Sequence, residues 1–201
     1  PYLTETIDGS RLRSFLPKKE VSANKGTTGT LTVACGSYGM MGAAQMCIQA
    51  ALRSGAGLVK SILPSNLYPI LANNIPQAVF FPYTGTDTID MLKKSMEKTK
   101  AVVAGCGLGT TTKSKEITEY IIHNSTVPVV LDADALNVIS DNIDILKEAK
   151  SQTIITPHPG EMARLLETNV PMIQNNRLTV ATEFAKRYNV IVVLKGAYTV
   201  V

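Results

Sequence analysis

From Gly29 onward, short runs apolar at nearly every position alternate with stretches apolar on one face only, and this alternation constrains the fold more than any other feature. The runs are Leu31 to Cys35, Leu58 to Leu63, Ala101 to Ala104, Val127 to Leu131, Thr153 to Ile155 and Val190 to Leu194. A strand that is apolar at consecutive positions has no face to turn to water, so it predicts a parallel sheet covered on both sides. Between the runs, Met41, Ala44, Ile48, Ala51 and Leu52 fall on one face at helical spacing, with Gly55 placed to end the helix. Ile173, Val180, Ala181, Phe184 and Tyr188 form a second such stripe. The expected class is α/β: a doubly wound, mostly parallel sheet flanked by helices.

With 201 residues, 45% hydrophobic and 18% charged, the chain suits one folded domain and carries no signature of disorder. Leu12, Phe15 and Leu16 predict a short N-terminal helix and a connecting loop over residues 1–24, with the main domain over residues 25–201. A further β-like run begins at Tyr198, so the domain is expected to lack its C-terminal part.

The net charge of +4 suits an anionic small molecule, but Lys and Arg are scattered, so nucleic acid is not expected. No stretch reaches the roughly 18 apolar residues of a membrane span, and the first 25 residues lack a signal-peptide core. Neither membrane nor export is expected. Cys35, Cys47 and Cys106 are an odd set without metal-like spacing, which supports neither a disulfide framework nor a zinc site and suits a reducing cytoplasm.

In doubly wound sheets ligands sit beyond the carboxyl ends of the strands, so the loops following the strands hold the candidate chemistry. Gly36, Gly39 and Gly42 make the first of these loops fit for a ligand approaching a helix N-terminus, or for a tight turn alone. Lys25 to Thr30 has the look of a phosphate loop without the Gly-Lys-Ser/Thr ending of a Walker A motif. Gly105 to Gly109 is again glycine-rich, but Thr110 stands where a dinucleotide fingerprint needs Gly or Ala. Asp132 and Asp134 end an apolar strand; a helix cap is the favoured role for Asp134, and a functional one for Asp132.

Thr156-Pro157-His158-Pro159-Gly160-Glu161 is stiffened by two prolines, fitting either polar groups positioned near a ligand or an ordinary helix start with Pro159 first. The other histidine, His123, reads as a solvated or capping residue at a helix end. Lys195, after a very apolar strand, offers either a phosphate contact or a plain Lys-Gly turn.

Taken in order, KGTTGT (25–30), GAAQMCIQAALRSGAGLV (42–59), GCGLG (105–109), LDADALN (131–137), TPHPGE (156–161) and LKGAYT (194–199) resemble the motif series of the ADP/ATP-dependent NAD(P)H-hydrate dehydratases, a branch of the ribokinase-like enzymes. The resemblance implies a ribokinase-like nucleotide-binding domain over residues 25–201. It also implies a metabolite-repair reaction in which the C6 hydroxyl of hydrated NAD(P)H (NAD(P)HX) is phosphorylated by ADP or ATP and phosphate is then eliminated to restore NAD(P)H. Carried over residue by residue, Ala43, Gly107 and His158 resemble the positions contacting the hydrated dinucleotide, and Lys195, Gly196, Ala197, Tyr198 and Thr199 the loop holding ADP or ATP. Glu161 parallels the Asn-x-x-Glu element by which related kinases organise magnesium, which implies a metal role through water. A homo-oligomer, specifically a tetramer, is implied by the resemblance alone.

The family's Gly-Thr-Gly-Asp-type motif, with its catalytic Asp, is expected after Thr199 and does not occur before Val201. These residues alone therefore hold no assigned catalytic base and are expected to show little or no activity, since loss of a general base costs roughly a hundred- to ten-thousand-fold. Two other readings stand beside this one: a vitamin-precursor or sugar kinase of the same fold, and a non-catalytic nucleotide-binding module.

Overall fold

The computed structural model describes residues 4–16, 21–22 and 28–201. Lys25, Gly26 and Thr27, half of the KGTTGT segment, lie outside the described residues, as does much of the expected connecting loop. The expected N-terminal helix is α1 (Gly9–Phe15), capped by the Asp8 carboxylate, which accepts from the N–H groups of Ser10 and Arg11. It buries none of its residues: Leu12 and Phe15, which with Leu16 predict it, are exposed.

Among the described residues, seven parallel strands form one sheet: β1 (Thr30–Ala34), β2 (Leu58–Pro64), β3 (Val79–Tyr83), β4 (Ala101–Ala104), β5 (Val129–Leu131), β6 (Thr153–Ile155) and β7 (Ile191–Val192), in the order β3-β2-β1-β4-β5-β6-β7. Six match the apolar runs, some shortened. The seventh, β3, is Val-Phe-Phe-Pro-Tyr; Pro82 donates no ladder hydrogen bond, and the strand lies at the sheet edge, where proline is tolerated.

The connecting helices are α2 (Met41–Arg53), α3 (Tyr68–Asn74), α4 (Thr88–Met96), α5 (Thr112–Asn124), α6 (Asp134–Val138), α7 (Pro159–Leu165), α8 (Val170–Asn175) and α9 (Arg177–Tyr188). Gly55, with φ +100°, follows the end of α2 as its spacing predicts. The second predicted stripe divides between two helices, because the chain breaks at Asn176: Ile173 belongs to α8 and the rest to α9, all five side chains being buried. No helix of the described residues is long and apolar enough to cross a membrane.

The two faces of the sheet differ. One row across it, Ala34, Ala104, Leu131, Ile155 and Val192, is buried in the larger core with side chains of α5, α6, α7 and α9. The adjacent row starts at buried Val33, in the smaller core with Ala44 and Ile48 of α2 and Leu71 of α3, and continues through Val103, Val130, Ile154 and Ile191. Those last four remain partly exposed. The expectation of full cover on both faces therefore holds over β1 and β2 and is incomplete over β4 to β7 among the described residues.

Candidate functional site

Because every strand runs the same way, the loops after β1, β4, β5, β6 and β7 all emerge at one edge. The chain leaves β1 toward β2 and β3 on one side, then returns to place β4 on the other. Beyond β1 and β4 the outgoing connections therefore diverge, and such a divergence opens the crevice where doubly wound sheets bind ligands.

The glycine loops meet at this crevice. A Cβ on Gly107 would lie 2.8 Å from the Cβ of Ala43 and 2.9 Å from the Met40 carbonyl, so the two positions expected to contact the dinucleotide are packed against each other. A Cβ on Gly105 would fall 1.7 Å from the Asp132 carbonyl oxygen, allowing no other residue without a shift of the backbone. Backbone bonds lace the edge: Gly36 N–H donates to Cys106 O at 3.1 Å, Gly105 N–H to Ala34 O at 3.0 Å and Asp132 N–H to Ala104 O at 3.0 Å.

Past β5 the chain turns through Ala133 at φ +49° and ψ −115°, a conformation costly for a residue with a Cβ. The turn separates the two aspartates. Asp134 is not the expected helix cap: its Oδ2 accepts from Gly109 N–H at 2.8 Å and its Oδ1 from the Asn137 amide at 3.2 Å, tying the glycine loop to α6. Asp132 turns the other way, accepting through Oδ1 from Lys195 Nζ at 2.6 Å and from the Thr156 hydroxyl at 2.7 Å. Burial raises the Asp132 carboxyl, but the bonds from Lys195 and Thr156 outweigh it and hold the group below its ordinary value.

Thr156 to Glu161 is both a helix start and a polar corner. His158 caps α7, its Nδ1 accepting from Gly160 N–H at 2.9 Å and Glu161 N–H at 3.2 Å, while Glu161 Oε2 accepts in return from His158 N–H at 2.7 Å. This reciprocal pair fixes a buried Glu161 side chain and leaves the His158 side chain 54% exposed at the rim. Lys195 Nζ lies 3.7 Å from Glu161 Oε2. One ammonium thus bridges two carboxylates delivered by β5 and α7. His123, in the last turn of α5, stands apart from this corner and meets Glu148 at 2.9 Å.

The loop carrying Lys195 is held by a residue that no local sequence signal singles out. Arg177, at the start of α9, donates to the carbonyls of Leu194 at 2.9 Å, Lys195 at 3.2 Å and Tyr198 at 3.2 Å. An antiparallel bridge between Leu194 and Val200 closes the loop. Gly196, Ala197, Tyr198 and Thr199 stand exposed on it, Tyr198 at 95%.

The cysteines are brought together by the fold. Spaced without a metal pattern, they nonetheless converge: the sulfurs of Cys35, Cys47 and Cys106 all lie within 4.8 Å of one another, and Cys106 Sγ lies 3.7 Å from Asp132 Oδ2. Hydrogen bonds from Cys35 and Cys47 lower the Cys106 thiol to about 4, and the same contact with Cys106 pushes Cys47 up to about 12.

A parallel sheet in this order, with glycine loops at its switch point and a lysine held among carboxylates at its carboxyl edge, makes a doubly wound α/β protein, and its fold is ribokinase-like. A ribokinase-like superfamily protein from Enterococcus faecalis shares the fold at a TM-score of 0.81 and 20% identity, over 96% of this chain and 66% of that one. The family profile described as NAD(P)H-hydrate dehydratase matches residues 31–201, and the chain belongs to that family. It is 34% identical over 196 residues to the bifunctional NAD(P)H-hydrate repair enzyme Nnr of Moorella thermoacetica, covering 94% of this chain and 37% of that protein. The chain thus spans little more than a third of that relative's length. The Bacillus subtilis ADP/ATP-dependent NAD(P)H-hydrate dehydratase, co-crystallized with ATP/Mg2+, superposes at a TM-score of 0.78 with 29% identity, over 94% of this chain and 66% of that one.

Proposed function

We propose that this chain carries the ligand-binding part of an ADP- or ATP-dependent NAD(P)H-hydrate dehydratase. The observation that carries the reading is Lys195: its ammonium stands at the carboxyl edge, 2.6 Å from Asp132, in a chain that belongs to this family. In the reaction a phosphoryl group is transferred from the nucleotide to the C6 hydroxyl of the hydrated nicotinamide, and loss of phosphate then restores the double bond.

Residues 195–199 take the nucleotide, with the exposed surface of Gly196, Ala197, Tyr198 and Thr199 open to it and Lys195 drawing phosphate charge toward the corner. Ala43 faces the hydrated dinucleotide at the switch point, with buried Gly107 packed behind it, and the half-exposed His158 side chain bounds it. Asp132, Glu161 and the Thr156 hydroxyl make an oxygen set of the kind magnesium takes. Lys195 already lies against both carboxylates, so the set fits a hydrated cation held by Glu161 through water better than one bonded directly. Magnesium there would neutralise charge between phosphate oxygens. Neither carboxylate is assigned as the base: Asp132 is engaged by Lys195, and Glu161 by the cap of α7.

A cytoplasmic location suits three free cysteines, and a homotetramer is carried over from the resemblance, to be read by light scattering. The test of function is to supply hydrated NADH with magnesium and ADP or ATP. Recovery of reduced-nicotinamide absorbance with release of free phosphate supports the dehydratase. A stable phosphorylated product indicates a kinase of the same fold; nucleotide binding without turnover is expected of these 201 residues alone, and indicates a binding module only if a chain extended to carry the family's catalytic Asp motif is equally inactive. Failure to bind any nucleotide contradicts the reading.

A further inference from the structure

We propose that Cys35, Cys47 and Cys106 form a binding site for one thiophilic d10 cation such as Zn2+, with Asp132 Oδ2 as an oxygen donor beside them. The argument begins with convergence. A buried cysteine that serves only as a small apolar side chain needs no sulfur neighbour; here three thiols from β1's end, α2 and the loop after β4 share one spot. In a tetrahedral zinc thiolate, metal–sulfur bonds of about 2.3 Å set sulfur–sulfur edges of about 3.8 Å. Cys35 Sγ and Cys47 Sγ are 3.8 Å apart, and no pair exceeds 4.8 Å, so the set needs to contract by at most about 1 Å to close on the ion.

The donors stand on fixed backbone. Cys35 directly follows β1, Cys106 is locked to that turn by the Gly36 N–H bond to its carbonyl, and Cys47 lies within α2. There is also a way in: Cys47 and Cys106 line a cleft of about 510 Å³ with Ala43, Met46 and Ala50, whereas Cys35 is fully buried behind them. Asp132 Oδ1 is taken by Lys195 and Thr156, which leaves Oδ2, 3.7 Å from Cys106 Sγ, facing the sulfurs. Binding requires no redox partner. Each thiol that enters as S–H releases its proton to solvent, and the sulfur lone pair forms the bond to the cation.

None of these thiols has a part in the proposed reaction; Asp132 is shared with the corner that would hold magnesium, so a thiolate signal in the nucleotide-free chain, which magnesium does not give, reads this site apart from that one. The test titrates the reduced chain with Cd2+ and with Co2+. The expected result is a cadmium–thiolate charge-transfer band that saturates at one equivalent per chain, with cobalt giving the visible bands of tetrahedral coordination. Cys47→Ser and Cys106→Ser should each weaken binding at least about tenfold, and Met46→Leu, which alters the cleft but not the thiols, should leave it unchanged. Absence of a saturable band, or saturation unaltered in both serine variants, overturns the proposal. Should those variants fail to fold by circular dichroism, the unmutated chain decides: one equivalent of Zn2+ should protect Cys47 and Cys106 from alkylation read by mass spectrometry, and undiminished alkylation rejects the site.

Discussion

Lys195 and Asp132 tie the end of β7 to the end of β5 across β6, and the pair makes stability depend on acid. The folded-state carboxyl of Asp132 lies below its ordinary value of 3.8, so its contribution is present above that value and is lost as pH falls through the folded one. In Lys195→Ala that acid loss should be shallower, because the bond depressing the carboxyl is gone. At neutral pH the variant should lose about 1 kcal/mol, solvent screening of a partly exposed lysine included, and should bind magnesium nucleotide more weakly. Denaturant titrations at several pH values read the first effect and calorimetry the second; an acid limb identical to that of the unmutated chain contradicts the assignment. Arg177→Ala removes three bonds to carbonyls of the same loop and should cost about 1–3 kcal/mol. Arg177→Lys should recover only part of this, since an ammonium lacks the planar fork. Lys195, Asp132, His158 and Glu161 were legible as polar residues closing apolar runs. Arg177 was not, because a helix-initiating arginine carries no local sign that its partners lie seventeen to twenty-one residues later.

Among the turns, glycine matters most where strands hand over to loops. Gly105→Ala would set a Cβ 1.7 Å from the Asp132 carbonyl at a φ of +120°, and should cost more than about 3 kcal/mol. Gly85 also has positive φ, +95°, but faces nothing within 4 Å, so Gly85→Ala should cost only about 1 kcal/mol. Equal losses in thermal unfolding would show that backbone conformation alone, and not loop packing, sets the requirement. The elements themselves were readable where one physical signal dominated. Runs apolar at nearly every position announced six strands, whereas β3 was hidden by Pro82 at an edge where the ladder has only one side to satisfy. The stripe from Ile173 to Tyr188 gave the buried face correctly but not the break at Asn176, since burial periodicity can continue across a kink. The thiol cluster was illegible for a different reason: it is made by the pairing of β1 with β4 and by the packing of α2, and none of these is local in sequence.

At the scale of the whole molecule, the sheet distributes its apolar surface unevenly. Val103, Val130, Ile154 and Ile191 form a continuous, partly exposed row beside a fully buried one. A dye that fluoresces on apolar surfaces should therefore bind the folded chain, and Val130→Thr combined with Ile154→Thr should weaken its signal; fluorescence unchanged by the pair would place the bound dye elsewhere. The same parallel arrangement puts all the ligand loops on one rim, and the central claim is that this rim holds the nucleotide beside its co-substrate. Amide chemical shifts of the 15N-labelled chain, followed during titration with magnesium ADP and then with hydrated NADH, test it most directly. The account predicts changes concentrated at residues 156–161 and 194–199 for the nucleotide, and at 36–43, 105–109 and His158 for the dinucleotide. Spectra unmoved there at high ligand concentration, or changes confined to the opposite edge around residues 98–100 and 125–128, would contradict it.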